Sequence, residues 1–302
     1  MSYLNSNSET SHQIFNDDCL KTLSSFEAGI DLTFLDPPFN QQKDYAACDD
    51  DLPENDYWEL MRKVCGETFR LTTSGGAIYF MQREKNTGQV LRVLNETGWT
   101  FQNLIVWKKM TSAVPSPVRF GKSFQTIIFA TKGNRPRVFN RLRIEPTLLK
   151  HQKHERENGC FVTDVWDDIR ELTSGYFAGD EAFKNINNTR FHKQQSPVAL
   201  LLRIILSSTR GGDFVLDPFA GTGTTAIVAK QLNRNSVSIE IDSANVDCIE
   251  KRLSEMRKTD CIERFYKDYI CTENLSEIWD ADLSDPAKSV AAKQRQLSFT
   301  AI

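Results

Sequence analysis

The chain has 302 residues, 40% apolar and 25% charged, enough to bury one sizeable core with a smaller attached region. No run approaches the roughly 18 apolar residues that a membrane-spanning helix needs, and the polar start, Met1 to Asp18, lacks a signal peptide's apolar core, so a cytoplasmic protein without membrane contact is expected. Seven cysteines without a CxxC pair argue against a disulfide framework, and the His151/His154 pair near Cys160 has no fourth ligand at zinc spacing, so no metal is expected.

In chain order, apolar runs predict strands at 13–16 and 30–35, then an amphipathic helix over 57–72. A strand at 76–81 and a helix at 84–97 follow. Strands at 101–107 and 124–131, joined by a loop holding Pro115 and Pro117, read as a long antiparallel hairpin at one sheet edge. Residues 133–192 break the rhythm, with scattered cations and Asn-rich 185–188, and read as an inserted region. Beyond it come a helix at 197–209, a strand at 213–217, a helix at 224–233, a strand at 236–241 and a helix at 243–258. Ser196 can cap the helix at 197–209, Pro197 suits its first turn, and Gly211-Gly212 follow its end. The polar tail after about 262 reads as a frayed helix or an oligomer contact. Alternating strands and helices predict an α/β fold with seven strands, mainly parallel.

The net charge of −3 hides an asymmetry. Residues 104–156 hold twelve Lys or Arg against two acids, a local charge of +10 that leaves −13 for the rest. Such a basic stretch on an acidic body points to a polyanion-binding face. Lys108, Lys109, Arg119, Lys122, Arg135, Arg137, Arg141 and Arg143 are its candidate contacts.

Two constellations carry chemistry. Residues 213–225 place Asp217 at a strand end, then Phe219-Ala220-Gly221-Thr222-Gly223-Thr224 as a turn into a helix. Gly221 and Gly223 let backbone approach a ligand and take positive φ. Glu240 ends the next strand, 19 residues beyond Gly221, where a carboxylate can accept ribose hydroxyls. A Walker lysine is missing, which argues against a phosphate loop. Earlier, the buried strand at 30–35 delivers Asp36-Pro37-Pro38-Phe39 to its carboxyl end, where open α/β sheets bind ligands. Asp36 and the rigidly held Pro37 carbonyl offer two acceptors for the hydrogens of an exocyclic amino group. That would draw its nitrogen toward a tetrahedral, nucleophilic shape, with Phe39 stacked on a base extruded from the duplex.

Together these residues resemble the S-adenosylmethionine-dependent DNA amino-methyltransferases that act on adenine N6 or cytosine N4, in the family's β arrangement. The likeness spans roughly residues 12–258. Its order is diagnostic: Asp36-Pro37-Pro38-Phe39 comes first, the Asp217–Thr224 loop last, with a variable region between. It implies a Rossmann-like methyltransferase fold with a seven-stranded, mostly parallel sheet and circularly permuted motifs. The division it implies is a catalytic half over 1–132, a target-recognition region over 133–192, a cofactor half over 193–260 and a tail over 261–302. Asp17-Asp18-Cys19-Leu20 is similar to the motif whose acid, here Asp18, meets the cofactor's adenine amino group. The stretch from His192 to Pro197 resembles the motif at the cofactor's methionine end. The family usually has Lys before that proline; here it is Ser196, leaving Gln194, Gln195 or Ser196 to meet the carboxylate.

The implied cofactor contacts are therefore Asp18, Cys19, Asp36, Gln194, Gln195, Ser196, Asp217, Phe219, Ala220, Gly221, Gly223, Thr224 and Glu240. Double-stranded DNA is the implied substrate, with a homodimer and a cognate restriction endonuclease as partners. Aspartate in the catalytic motif favours adenine N6; cytosine N4 and a catalytically silent DNA-binding module are the alternatives. Methylation at cytosine C5 is excluded, since no cysteine follows a proline.

Overall fold

The structure, a computed structural model, describes residues 10–41, 51–110, 116–145, 158–172, 180–183 and 195–279. Ten strands and seven α-helices are described: β1 (His12–Asn16), α1 (Cys19–Ser24), β2 (Ile30–Leu35), α2 (Glu54–Leu71), β3 (Thr72–Arg83), α3 (Thr87–Glu96), β4 (Thr100–Lys108), β5 (Phe124–Thr131), β6 (Arg143–Ile144), β7 (Cys160–Phe161), β8 (Val165–Trp166), α4 (Val198–Ser208), β9 (Phe214–Asp217), α5 (Thr224–Gln231), β10 (Asn235–Glu240), α6 (Ser243–Ser254) and α7 (Leu275–Trp279). The main sheet runs β1-β10-β9-β2-β3-β5-β4-β8, with β5 antiparallel to both neighbours. β6 and β7 pair separately. No helix among the described residues is long and apolar enough to cross a membrane.

All seven predicted strands are present, and β8 adds an eighth by pairing Val106 with Val165 and Trp107 with Trp166. The predicted hairpin is β4–β5, with β8 covering part of its outer strand. β2 is buried along its whole length, because helices cover both faces of a parallel sheet. On one face Ile30, Leu35, Ile78 and Phe80 share a core with Tyr57, Val64 and Val90 of α2 and α3. On the other, Leu32, Phe34 and Tyr79 share a core with α4. α4 is apolar almost all round and is buried accordingly. Its one buried cation, Arg203, forms a two-pronged pair with Asp168 and donates to the Tyr269 hydroxyl at 3.1 Å.

Two expectations are corrected, and one unexpected helix is found. Ser196 does not cap α4: Pro197 holds the cap position, and the Glu181 carboxylate accepts from Val198 N at 2.7 Å. An acid at a helix amino end is favoured by the dipole, so the cap comes from a distant segment. The start of the tail is not frayed: Ile262, Tyr269, Leu275 and Trp279 are buried in the core that contains α4, and Arg234 donates to Ile278 O at 2.8 Å. The short helix α1, which periodicity does not predict, is nucleated by Asp18, whose carboxylate accepts from Lys21 N at 3.0 Å. His151, His154, residues 185–188 and the Ala/Lys/Gln-rich end lie outside the described residues.

Candidate active site

β1, β10, β9 and β2 are adjacent and parallel, so their carboxyl ends line one rim of the sheet. Each leads directly into a predicted site acid: Asp18 after β1, Glu240 ending β10, Asp217 ending β9 and Asp36 after β2. At about 4.8 Å per strand the row spans about 14 Å, room for an extended ligand.

The Asp36 loop is braced from several sides. Half-buried Asp36 accepts from the Ser196 hydroxyl at 3.0 Å. The Pro38 carbonyl accepts from the Tyr57 hydroxyl at 2.9 Å, and that hydroxyl accepts from the Gln82 amide at 2.8 Å. Asn40, at φ 53°, exchanges two side-chain bonds with the backbone of Leu52. Pro38's carbonyl is thus structural. The Phe39 ring is only 3% exposed and belongs to the core that holds Val198 and Trp166. Stacking on a base therefore requires the ring or its neighbours to move.

The glycine turn is tied by the two acids around it. Asp217 accepts from the Thr225 hydroxyl at 2.5 Å and from Phe219 N at 3.1 Å. Burial, opposed by these bonds and helped by the Glu240 charge, pushes its carboxyl up to about 7. Its oxygens are turned into the loop, so it shapes the turn. Glu240 accepts from Gly221 N at 2.7 Å and from Asp242 N at 2.9 Å, and burial raises its pKa. A carboxylate offers about four acceptor directions, which leaves Glu240 capacity for ribose hydroxyls. Gly221 and Gly223 adopt φ of 51° and 75°. At Gly223 the demand comes from inside the protein: a Cβ there would meet Ile249 of α6 at 2.9 Å.

Other expected cofactor residues face elsewhere. The Gln195 amide accepts from Phe183 N at 3.0 Å and donates to Glu181 O at 3.1 Å, clamping residues 181–183 to the start of α4. Ser196 is directed at Asp36, and Gln194 lies outside the described residues. Thr224 is buried, its hydroxyl accepting from Arg252 at 3.1 Å. Cys19 is a core residue whose thiol burial pushes up to about 12. Ala220 is nearly buried, and partly buried Phe219 packs toward the α2–α3 face. Glu181, Tyr57, Gln82 and Asn40 carry no local signal; only chain folding brings them to the rim.

Among the described residues, the basic segment does not form one face. β4 ends and β5 begins at the carboxyl rim, where Lys108 and Arg119 are exposed. Lys109 lies 3.5 Å over the Trp107 ring and donates to Gln125, while Lys122 pairs with Glu84. β5 then carries the chain about 27 Å to the amino rim at 3.4 Å per residue. There Arg137 lies 3.2 Å from Asp31 and pairs also with Asp213, and Arg135 is exposed. Arg141 and Arg143 stack on the Phe161 ring at 4.0 and 3.8 Å. Arg141 and Phe161, with Tyr79, Phe129, Phe139 and Trp166, line a cleft of about 380 Å3 on the α4 face. The expectation of a single polyanion face is thus revised, because a strand long enough to cross the sheet divides the charge.

The profile of the N6/N4 methyltransferase family, described as DNA methylase, matches residues 30–251. The chain is 30% identical over 263 residues to the type II methyltransferase M.HpaI of Haemophilus parainfluenzae, covering 86% of this chain and 79% of that relative. It is also 30% identical over 264 residues to the type II methyltransferase M.HinfI of Haemophilus influenzae, covering 81% and 68%. The fold matches the M1.HpyAVI–SAM complex at a TM-score of 0.55 and 21% identity, over 80% of this chain and 99% of that one. The chain belongs to the N6/N4 family of DNA methylases, the amino-methyltransferases of DNA.

Proposed function

We propose that, within this family, the protein methylates the N6 amino group of adenine in a specific sequence of duplex DNA, with S-adenosylmethionine as methyl donor. The observation that carries this reading is the placement of Asp36, held by Ser196, on the strand adjacent to the one that feeds the Gly221 turn. When bound, S-adenosylmethionine supplies an electrophilic methyl group. Glu240 would accept its ribose hydroxyls, Asp18 its adenine amino group, and the Gly221 turn would lie along it. The donor set suits that ligand: Glu240 keeps acceptor capacity after holding Gly221 N, at the mouth of a positive-φ turn.

The chain's own groups then prepare the base. Asp36 and the Pro37 carbonyl accept the two amino hydrogens and orient the nitrogen lone pair, which is catalysis by positioning and electrostatics. Ser196 holds one Asp36 oxygen, and Tyr57 fixes the loop through Pro38. The base reaches this pocket by rotating out of the duplex, and stacks on Phe39 once that buried ring or its neighbours move aside. Lys108 and Arg119 meet backbone phosphates at the same rim. Residues 133–192 supply target recognition, the protein acts on DNA in the cytoplasm, and a homodimer and a cognate restriction endonuclease complete the setting.

The test is digestion of treated DNA to nucleosides, followed by mass spectrometry. N6-methyladenine is expected. N4-methylcytosine would overturn the adenine assignment, and an unmodified digest would overturn methyl transfer to DNA.

A further inference from the structure

We infer that Arg257 is a positioning residue for methyl transfer, locking the turn that cradles the donor to the segment that aims Asp36. The inference rests on the methyl-transfer reading above and adds the part that sets donor against acceptor.

A buried ion cluster grips the glycine turn. Arg252 of α6 donates to Thr222 O at 2.8 Å and to the Thr224 hydroxyl at 3.1 Å, holding the turn on both sides of Gly223. Its Nε and Nη2 form a two-pronged pair with Asp260 at 2.9 and 2.7 Å. Arg257 places a second fork on the same carboxylate, also at 2.9 and 2.7 Å. The two forks fill the roughly four acceptor directions of that carboxylate, and their planarity fixes both guanidiniums. Arg252 and Asp260 are buried, so salt screens the cluster little.

Arg257 faces two ways. Its Nη2 also donates to Glu181 O at 3.1 Å, and its guanidinium lies 3.6 Å over the Phe183 ring. The Gln195 amide donates to that same carbonyl at 3.1 Å. Ser196, next in the chain, gives its hydroxyl to Asp36. A continuous path therefore runs from the turn through Arg252, Asp260, Arg257, Glu181 and Gln195 to the Asp36 carboxylate. Arg264 also reaches this segment, but it is exposed and pairs with the Glu181 carboxylate instead. Transfer needs the methyl carbon and the amino nitrogen in line and about 3–3.5 Å apart. The turn positions one and Asp36 the other, so a tie between them governs the transfer step more than the binding of either ligand.

The test is the single-turnover rate of methyl transfer by enzyme preloaded with S-adenosylmethionine and saturated with duplex carrying the mapped site. This first-order constant is independent of the fraction of molecules folded, so a loss of stability alone leaves it unmoved. Arg257→Met keeps the side chain's length and removes its fork, while Asp260 retains the fork of Arg252. It should lower the constant about tenfold to a hundredfold. KM for each ligand should stay within about twofold of the parent. Arg257→Lys, which cannot serve Asp260 and Glu181 together, carries the same expectation should the Met variant fail to fold. Arg264→Met should stay within a few-fold of the parent. Ser196→Ala should also slow the step, and the double variant with Arg257→Met should be no slower than the slower single one, because both break one path. An unchanged rate in the Arg257 variant overturns the inference, as does a loss confined to KM. Losses that multiply in the double variant overturn it, and so does an equal loss in Arg264→Met. A parent that transfers no methyl group to DNA overturns the functional reading and this inference together, whereas an active parent with an indifferent Arg257 variant overturns this inference alone.

Discussion

The two ends of the central sheet carry similar side chains and use them in opposite ways. At the amino rim, Asp31 accepts from Thr73 and Phe214 N, Asp213 accepts from Arg210 N, and Arg137 pairs with both carboxylates. Asp31 thereby ties β2 to β3 and β9, and Arg137 draws Asp31 and Asp213 together, while Arg135 stays exposed. At the carboxyl rim, Asp36 and Glu240 also accept hydrogen bonds, yet they stand at loop mouths, Glu240 keeps acceptor directions beyond those bonds, and Lys108 and Arg119 face solvent. The lesson is that charge in the sequence does not identify function. Saturation of a group by its own protein marks it as structural, and residual capacity at a strand's carboxyl end marks it as available.

The largest effect is expected of Asp36→Ala, which should lower methylation about a thousandfold while equilibrium dialysis of S-adenosylmethionine changes little; a normal rate would refute the mechanism. Arg137→Ala should instead cost about 3–5 kcal/mol in urea unfolding, because it strands two buried carboxylates, and leave the salt dependence of DNA binding unchanged. A shallower salt slope in that variant would return Arg137 to the DNA face.

Asp217 sharpens the contrast through pH. Its carboxyl is held up at about 7 in the folded protein, well above the unfolded range, so its contribution to stability is present at acid pH and lost as pH rises toward and through 7. Asp217→Asn keeps the shape without the charge. Its stability relative to the parent should grow on the order of 2–4 kcal/mol between pH 4 and 8; a gap independent of pH in denaturant midpoints would refute the assignment. The smallest effect belongs to the surface cations. Replacing Lys108 and Arg119 with Gln should shallow the salt slope by about 0.9 for each phosphate no longer neutralised, whereas Arg135→Gln should leave it unaltered.

Much of this architecture is legible in the amino-acid sequence. The apolar run of β2 ending in Asp36, and the β9 run ending in Asp217 and the Gly221 turn, announce both a parallel sheet and the places where chemistry sits. These signals are local: a strand buried on both faces must be apolar throughout, and a tight turn beside a ligand needs glycine. α1 leaves no such signal because six residues are too few to show a helical period, and β8 none because two residues leave no alternation.

From residues alone, then, the seven main strands and both motifs are legible, each carried by residues within about ten positions of one another, and the family follows from the order of two motifs far apart in the chain, while α1 and β6 to β8 are not. Tertiary structure alone decided which acid caps α4, that Ser196 turns to Asp36 and Gln195 to residues 181–183, and that the basic segment is split between two rims. Those outcomes join residues as far as 160 positions apart. A side chain's partner is whatever the packed core brings within about 3 Å of it, and no local pattern records which distant segment that will be.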